Sequence, residues 1–428
     1  MFKIIVAGAG NGGLTAAANL AKNGFDVTVV EAKERADSGH DWLDSILISA
    51  FEQSGIPTPD MKQFKPQYRM CYYDPEKALP MVSPNKPNPE VGYIDRKFLM
   101  NHLIDECVKQ GVKFLFSKKI LSAVTEKGRV TGIKTEDGEM NCDLVIDSAG
   151  ADSPLRRSLP KEFGIRNELK DTERFFAYRA FYEKTDGAVS LQPYNTYFFH
   201  CGRAGMDWVI TDKDYVDVLV GGFKGLTEAE TAEALADFSK DYPNMGNKIL
   251  RGGQTELIPL RRTLPKIVCD GYAAVGDSAV MVEPLSGSGI SLSMMAGKIL
   301  ADTVIKYRNA DKETLWQYQY EYFTRHGNGQ LTADIIRNCL FALTAEELQY
   351  LFRTKILSTA EIAGGGMPDY TAKEMLMKGV NMIKRPAIVP HFAKMLTGMM
   401  KTDSVCRAMP RVYDEKKIRN WAERYEGL

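Results

Sequence analysis

The sequence lacks paired cysteines, and this absence limits the metal chemistry available to the protein. Its 428 residues include seven cysteines, none of which stands in a CxxC pair. Iron–sulfur clusters and structural zinc sites are usually built from such pairs, so we expect no metal site. Scattered free thiols are typical of a reducing compartment, and we therefore expect a cytoplasmic protein.

Long apolar runs and a net charge are also absent. No apolar run approaches the roughly 20 residues that a transmembrane helix needs, so we expect membrane contact to be peripheral at most. The opening MFKIIVAGAG leads directly into a strand and a glycine turn, unlike a signal peptide. Lysine plus arginine and aspartate plus glutamate each number 55, a balance that argues against a nucleic-acid-binding protein.

A glycine-rich turn near the N-terminus is the first positive signal. KIIVAGAGNGGL predicts a buried strand, a tight turn and a helix, with Gly8, Gly10 and Gly13 in a GxGxxG arrangement. These glycines permit the turn, the approach of backbone to a pyrophosphate, and close packing of helix on strand. The next strand ends in Glu31, whose carboxylate can accept hydrogen bonds from both hydroxyls of an adenosine ribose. The motif therefore predicts a dinucleotide site.

A second glycine turn lies far downstream, in AVGDSAVMVEPLSGSGIS, between a predicted buried strand and a predicted helix. A carboxylate at the end of that strand can hold a sugar-alcohol hydroxyl, and N–H groups at the helix start can face an electron-rich ring edge. NAD needs no such second site, whereas the ribityl chain and ring of FAD do. We therefore predict one FAD held at both ends. The second-turn residues expected to contact it are Gly276, Asp277, Pro284, Gly287, Ser288 and Gly289.

These motifs resemble the FAD-dependent geranylgeranyl reductase family, within the wider fold of the flavoprotein aromatic hydroxylases. GDSAVMVEPLSGSGISLSMMAGK is similar to the GD motif of that fold, YIDRKFLMNHLIDECVKQGVKF to its arginine-and-helix segment, and CDLVIDSAGADSPLRR to its next strand and turn. The resemblance covers about residues 1–310. It implies that Arg96 lies near the FAD pyrophosphate, that Gly150 belongs to the cofactor site, and that Asp277 binds the ribityl chain.

The chain differs from these families at positions that help to distinguish a hydroxylase from a reductase and to identify the substrate. Aromatic hydroxylases carry an acid where this chain has Ala149, which weakens the hydroxylase interpretation. Geranylgeranyl reductases often carry a YxWxFP signature, of which GMDWVITDKD keeps only Trp208, the residue expected to contact substrate. A cysteine that some members have after the ribose-binding acid is absent from SGHDWLDS.

We expect an α/β protein with a Rossmann-like FAD-binding domain, an inserted mixed β-sheet substrate domain and a C-terminal helical extension. The predicted boundaries are 1–45, 90–160 and 265–310 for the FAD-binding domain, 46–89 and 161–264 for the substrate domain, and 311–428 for the helical cap.

The end of the cap is rich in methionine, which suits packing around a flexible apolar ligand. Phe392, Met395, Leu396 and Met399 recur at helical spacing and are expected to face inward. A basic amphipathic helix lying on a membrane surface is the alternative interpretation of this segment.

The chemistry is expected from flavin rather than from a side-chain nucleophile. FAD supplies hydride transfer, and the protein must add orientation and a proton source. The candidate catalytic residues are His40, in SGHDWLDS, and His200, at the end of YNTYFFH. Only one dinucleotide fingerprint is present, so electrons are expected from transiently bound NAD(P)H or from an electron-donor protein. We predict reduction of a C=C bond in an apolar substrate, with an isoprenoid as one candidate; a flavin monooxygenase and a non-catalytic electron-relay protein are the alternatives.

Overall fold

The computed structural model describes residues 2–83, 86–166, 168–187, 192–357 and 371–428. Its strands are β1 Lys3–Ala7, β2 Asp26–Val30, β3 Leu43–Leu47, β4 Phe64–Pro66, β5 Met70–Tyr73, β6 Met81–Val82, β7 Val91–Asp95, β8 Lys113–Leu115, β9 Ile120–Glu126, β10 Arg129–Thr135, β11 Gly138–Asn141, β12 Leu144–Asp147, β13 Arg174–Lys184, β14 Tyr194–Phe198, β15 Met206–Thr211, β16 Tyr215–Phe223, β17 Met245–Pro259, β18 Val268–Cys269 and β19 Tyr272–Ala274. Its α-helices are α1 Asn11–Lys22, α2 Ala50–Gln53, α3 Arg96–Lys109, α4 Pro154–Ser158, α5 Glu228–Asp241, α6 Ile290–Tyr307, α7 Lys312–Tyr322, α8 Asn328–Leu340, α9 Ala345–Arg353, α10 Ala372–Ile383, α11 Val389–Arg407 and α12 Glu415–Glu426.

A six-stranded sheet, ordered β18-β19-β12-β1-β2-β8, carries both glycine turns. β1 pairs in parallel with β12 and with β2, β12 pairs in parallel with β19, and β18 is antiparallel to β19. Residues 4–7 and 144–147 are buried along their whole length, as expected for parallel strands covered on both faces. This is the Rossmann-like architecture that the sequence predicts.

Helices α1 and α6 begin side by side, although they are far apart in the sequence. A Cβ atom added to Gly12 would lie 2.7 Å from the main-chain oxygen of Ser293, and one added to Gly297 would collide with the main-chain oxygen of Gly12. Only glycine permits this approach. Because β1 and β19 run in the same direction, the turns that precede these helices meet at one edge of the sheet.

A second large sheet has seven strands in the order β17-β13-β16-β15-β14-β5-β6, and it is mixed because β14 pairs in parallel with β5. Side chains alternate between its two faces. One face packs Val209 and Val218 against Phe238 and Tyr242, which belong to α5 and its C-cap. The opposite face carries Trp208, which packs near Leu43 of β3.

The two large sheets take their strands from different segments of the chain. The strands of the six-stranded sheet come from the segments assigned to FAD binding, and those of the mixed sheet from the segments assigned to substrate. A three-stranded sheet, β3-β7-β4, joins strands from both groups, and β11-β10-β9 forms a further small sheet. The exact domain boundaries stay a prediction.

The described chain after Asp311 is helical, as predicted. A π-helical turn over Phe323–Gly327 joins α7 to α8, and α12 packs Trp421 and Tyr425 into the main core. Among the described helices, none combines the length and the apolar character of a transmembrane span.

Helix α11 faces inward through three of the four residues predicted to do so. Phe392, Met395 and Met399 are half-buried and pack against the hydrophobic clusters. The prediction is wrong for Leu396, which is 42% exposed. Gly398 packs against Ile335 of α8, and this contact turns Leu396 toward the outside.

Candidate flavin-binding site

The first glycine turn has a geometry that side chains would prevent. Gly8 has a φ of +86°, and added Cβ atoms on Gly8 and Gly13 would each lie 2.6 Å from atoms of Ser148. Gly10 is the N-cap residue of α1 and provides no side-chain cap. The turn therefore lies tightly against the end of β12, and α1 presents the positive end of its dipole without a side-chain cap, as anion sites do.

A buried amide at the start of α1 lacks a partner. Asn11 is 9% exposed, yet its Oδ1 atom makes no hydrogen bond within the part of the chain that the structure describes. Buried polar atoms are nearly always satisfied, so an unsatisfied one indicates a ligand or a water. After a flip of the amide, its NH2 group would donate to a pyrophosphate oxygen.

Glu31 follows β2 and is oriented by backbone hydrogen bonds. The N–H groups of Ala9 and Lys33 donate to its two carboxylate oxygens over 2.7 and 2.9 Å. Each oxygen of a carboxylate can accept more than one hydrogen bond, so Glu31 can also receive ribose hydroxyls. Its position beside the first glycine turn fits the role that the sequence predicts.

The second glycine turn is tied to the end of β12 by a buried serine. Ser278 Oγ donates to Asp147 Oδ1 over 2.9 Å, and the N–H of Gly150 donates to Ser278 Oγ over 3.0 Å. Asp147 is fully buried and also accepts from the Tyr272 hydroxyl over 2.7 Å. The Asp147 carboxylate therefore holds the turns after β12 and β19 together.

Two residues of this junction were missed by sequence reasoning. Asp147 offered a signal, because a carboxylate is unusual in a buried apolar strand. Arg156 matches the strand-and-turn segment of the family that the sequence resembles, but its sequence context favours a surface charge, and that prediction is wrong. In the structure the Arg156 side chain is 1% exposed and donates to the Ser278 main-chain oxygen over 2.5 Å.

Asp277 lies in the second turn, directly after Gly276, whose φ is +67°. Burial raises the pKa of Asp277 above its usual range, and Arg96 is the strongest opposing charge. Hydroxyl donors stabilise a carboxylate in such a setting, and a ribityl chain offers them. The arrangement fits a ribityl contact.

Residues 283–289 form a closed loop in front of α6. The Glu283 carboxylate accepts two backbone hydrogen bonds from within this loop, over 3.0 and 2.6 Å. Gly287 has a φ of +71°, and Gly289 is the N-cap residue of α6, again without a side-chain cap. The predicted cofactor contacts in this loop are Pro284, Gly287, Ser288 and Gly289. The N-terminus of α6 therefore points to the same edge of the six-stranded sheet as the N-terminus of α1.

Arg96 begins α3 and binds Asp44 of β3. Arg96 Nη1 donates to Asp44 Oδ2 over 3.0 Å, and Arg179 Nη1 donates to Oδ1 over 2.8 Å. Burial alone would raise the pKa of the Asp44 carboxyl, but Arg179 and Arg96 outweigh it and lower that pKa. Arg96 Nε is buried and has no partner within the described residues. That donor remains available for a phosphate oxygen.

Arg179 is the centre of a buried charge cluster that no sequence motif indicated. Its side chain is 3% exposed, and Nε and Nη2 donate to the Asp217 carboxylate over 2.9 and 2.6 Å. The guanidinium also lies 5.7 Å from the Trp42 ring and 5.4 Å from the Trp208 ring. Trp208 is thus on the β3 side of the mixed sheet, and its contact with substrate stays a prediction.

His40 lies beside this cluster. Its ring stacks on Trp42 with centroids 5.0 Å apart, and its Nδ1 is 3.4 Å from Glu256 Oε1. The proximity of His40 lowers the pKa of Glu256. His40 is also close enough to Asp44 and Asp277 to oppose the protonation of both. His40 therefore lies near both Asp277, the residue predicted to bind the ribityl chain, and the substrate side of the site.

His200 does not join His40. Its Nδ1 and Nε2 lie 2.8 Å from Asp207 and 3.0 Å from Asp237, and its ring stacks on Phe238 of α5. Asp207 and Trp208 are successive residues of β15, so their side chains point to opposite faces of the sheet. His200 is on the α5 face, and its assignment as a catalytic residue does not match this position.

The surroundings of His200 also bring possible metal ligands together. Ligand atoms of His200, Cys201 and Asp237 lie within 4.8 Å of one another. The Lys77 ammonium is 2.5 Å from Asp237 Oδ2 and 2.6 Å from Asp241, so a cation of the chain already balances these carboxylates. The absence of a metal site stays a prediction.

The site has the features that bound FAD requires. Two helix N-termini without side-chain caps meet at one edge, with Glu31 and Asp277 beside the two turns and unpartnered polar atoms of Asn11 and Arg96 available. Fold and site together define a dinucleotide-type flavoprotein. The chain belongs to the FAD dependent oxidoreductase family, whose model matches residues 88–303, just over half of the chain. An NAD(P)-binding Rossmann-like domain model matches residues 6–39. The protein is an FAD-dependent oxidoreductase.

Similar proteins extend over nearly the whole chain. A digeranylgeranylglycerophospholipid reductase of Sulfolobus acidocaldarius is 22% identical, over 96% of this chain and 94% of its own. A geranylgeranyl bacteriochlorophyll reductase-like protein from Thermoplasma acidophilum superposes with a TM-score of 0.73 at 20% identity, covering 92% of this chain and 99% of the other. A flavin-dependent brominase superposes with a TM-score of 0.61 at 15% identity, covering 100% and 99%. The structural matches establish the fold.

Proposed function

We propose that the protein is an FAD-dependent reductase that adds hydrogen across C=C bonds of a prenyl chain in an apolar, lipid-like substrate. The observation that carries the proposal is the length of the match to the digeranylgeranylglycerophospholipid reductase, 96% of this chain and 94% of the relative. The match includes the mixed sheet and the helical cap as well as the cofactor site. Ala149, which replaces the acid of the hydroxylase motif, further favours a reductase.

Reduction of a C=C bond forms two C–H bonds from one hydride and one proton. Bound reduced FAD supplies the hydride. The protein must then hold the prenyl chain in place and exclude water. The half-buried Trp208 ring offers apolar surface for this, and Arg179, which lies near both Trp208 and the buried Trp42, is fixed by Asp217 and Asp44. These contacts support a rigid substrate wall rather than an adaptable one.

We assign proton delivery to His40. Its ring is held against Trp42, and Glu256 lies beside its Nδ1 atom. A carboxylate next to an imidazole can fix the orientation of the ring. After donating its proton to the substrate carbon, His40 would be reprotonated from solvent, since its side chain is 33% exposed.

Electrons must reach the flavin from outside the chain, because a single dinucleotide fingerprint is present. We propose that transiently bound NAD(P)H or an electron-donor protein provides them. A prenyl lipid resides in a bilayer, so we also propose that the protein meets its substrate at a membrane surface.

The test uses purified holoenzyme reduced with dithionite and a geranylgeranyl alcohol as substrate. The product should gain two hydrogens for each bond reduced, as measured by mass spectrometry. His40→Asn should slow product formation at least tenfold, whereas the matched variant His200→Asn should leave the rate per folded, flavin-loaded molecule unchanged. Complete absence of hydrogenated product with any prenyl substrate would contradict the proposed function.

A further inference from the structure

The exposed apolar side chains of the protein are concentrated in one C-terminal segment. Among the described residues, fourteen large apolar side chains are exposed, and seven of these lie within residues 376–400. Single exposed apolar residues are common on protein surfaces, but a concentration of this kind marks an interaction site.

On α10 the exposed residues form a stripe. Leu376, Val380 and Ile383 are 69%, 45% and 76% exposed, and their spacing of four and three residues places them on one face of the helix. Met382, by contrast, packs against the hydrophobic cluster that includes Phe352. The stripe therefore points away from the body of the protein.

Helix α11 repeats the pattern. Val389, Leu396 and Met400 are 38%, 42% and 85% exposed and are spaced by seven and four residues, which again defines one face. The opposite side of α11 packs on α8 through Gly398, while Phe392, one turn before Leu396, contacts the same cluster at the border of the stripe. Both helices thus bury one face and leave an apolar stripe outside.

Positive charge accompanies these stripes. Residues 376–407 contain six lysine and arginine residues and one acidic residue, Asp403, although the whole chain has no net charge. Lys394 and Lys401 are exposed, and Lys401 follows the stripe residue Met400 by one position, about 100° around the helix. Lysines at the edge of an apolar stripe can extend to lipid headgroups while their stems cover apolar surface.

We infer that α10 and α11 form a docking surface for the face of a bilayer that contains anionic lipids. The apolar stripes would enter the boundary between headgroups and acyl chains, and the flanking lysines would contact lipid phosphates. The further claim that the enzyme collects a prenyl-lipid substrate from that bilayer rests on the proposed function. Since the buried faces of both helices contact the cluster at the edge of the mixed sheet, the docked face lies close to the substrate domain.

The test is flotation of FAD-loaded full-length protein with phosphatidylglycerol-containing vesicles and with phosphatidylcholine vesicles. The protein should float with the anionic vesicles, and raised salt should weaken its binding. The triple variant Leu376→Glu, Ile383→Glu, Met400→Glu should lose at least tenfold in vesicle binding. The control triple variant Met61→Glu, Val108→Glu, Val412→Glu removes three apolar residues that are each more than half exposed elsewhere, and it should bind as wild type does.

Three outcomes would overturn the inference. In the first, the wild-type protein does not float with vesicles. In the second, the two triple variants float equally well. In the third, the wild-type protein self-associates and binds no vesicles, and the first triple variant makes it monomeric. The proposed function is tested separately, since the first triple variant should still reduce a short prenyl alcohol dispersed in detergent. Vesicle binding without reduction of any prenyl substrate would keep the docking surface and reject the proposed reaction.

Discussion

Arg179 Nη1 donates a hydrogen bond to Asp44 Oδ1 over 2.8 Å, and this bond joins the mixed sheet to β3 beside the flavin-binding site. The same guanidinium is held by Asp217 and lies near two tryptophan rings. Two carboxylates therefore depend on the Arg179 side chain, and this cluster connects the proposed substrate wall to the cofactor side of the molecule.

Replacing Arg179 with methionine should destabilise the fold strongly. The variant leaves Asp217, which is 1% exposed, as an uncompensated buried charge, and breaking a buried pair in this way costs about 3–5 kcal/mol. Arg174→Met on the same strand is the control, because its partner Asp152 is half-exposed and such pairs contribute about 0–1 kcal/mol. Urea unfolding measures both, and equal losses would contradict the buried-cluster interpretation.

The stabilisation that Asp44 contributes should depend on pH in a defined direction. Its folded-state pKa lies below the usual value of 3.8, so its contribution is present above about pH 4 and is lost as the pH falls through the folded pKa. The difference in unfolding free energy between wild type and Asp44→Asn should therefore be near constant from pH 7 to 5 and shrink below about pH 4. A difference that grows on acidification would show that the sign is wrong.

The contact between α1 and α6 should not tolerate a methyl group. Gly12→Ala would place a Cβ atom 2.6 Å from Val275 Cγ2 and 2.7 Å from the Ser293 main-chain oxygen. Overpacking of this kind costs about 1–3 kcal/mol, and it should also weaken FAD binding because both helix N-termini would shift. Gly329→Ala in α8 meets no atom within 4 Å and should be neutral or stabilise by about 0.5–1 kcal/mol. Thermal unfolding and flavin content measure the contrast, and tolerance of both variants would argue against the close approach.

Removing either carboxylate charge at the two turns should weaken the binding of FAD. Glu31→Gln and Asp277→Asn each remove a charged acceptor, and the loss should be about 1–3 kcal/mol, or roughly 5- to 150-fold in Kd. Asp302→Asn, on the outer side of α6 and 55% exposed, is the control. Titration of apoprotein with FAD, followed by flavin fluorescence, gives the three constants. Unchanged affinity in the first two variants would remove these residues from the cofactor site.

The cofactor end of the molecule could be predicted because its signals are local. Gly8 and Gly287 need positive φ values, and Glu31 follows its strand at a fixed distance from the first turn. Each of these features depends on residues within one short stretch of sequence, so the fold and both turns can be predicted from the sequence.

The charge cluster could not be predicted in the same way. Arg179 and Asp44 are 135 positions apart, and no pattern within either strand reports that they meet. His200 illustrates a related limit, since alternation along a strand predicts two faces but does not say which face receives α5. Leu396 was misplaced because the rotation of α11 depends on Gly398 and its contact with α8.

The most direct measurement of the central claim mixes dithionite-reduced holoenzyme with a geranylgeranyl substrate, under argon and under isotope-labelled oxygen. The reductase account predicts that the substrate reoxidises the flavin under argon, and that the product carries two added hydrogens and no labelled oxygen. If substrate turnover occurs only with oxygen, and the label enters the product, the protein is a monooxygenase and the account is wrong.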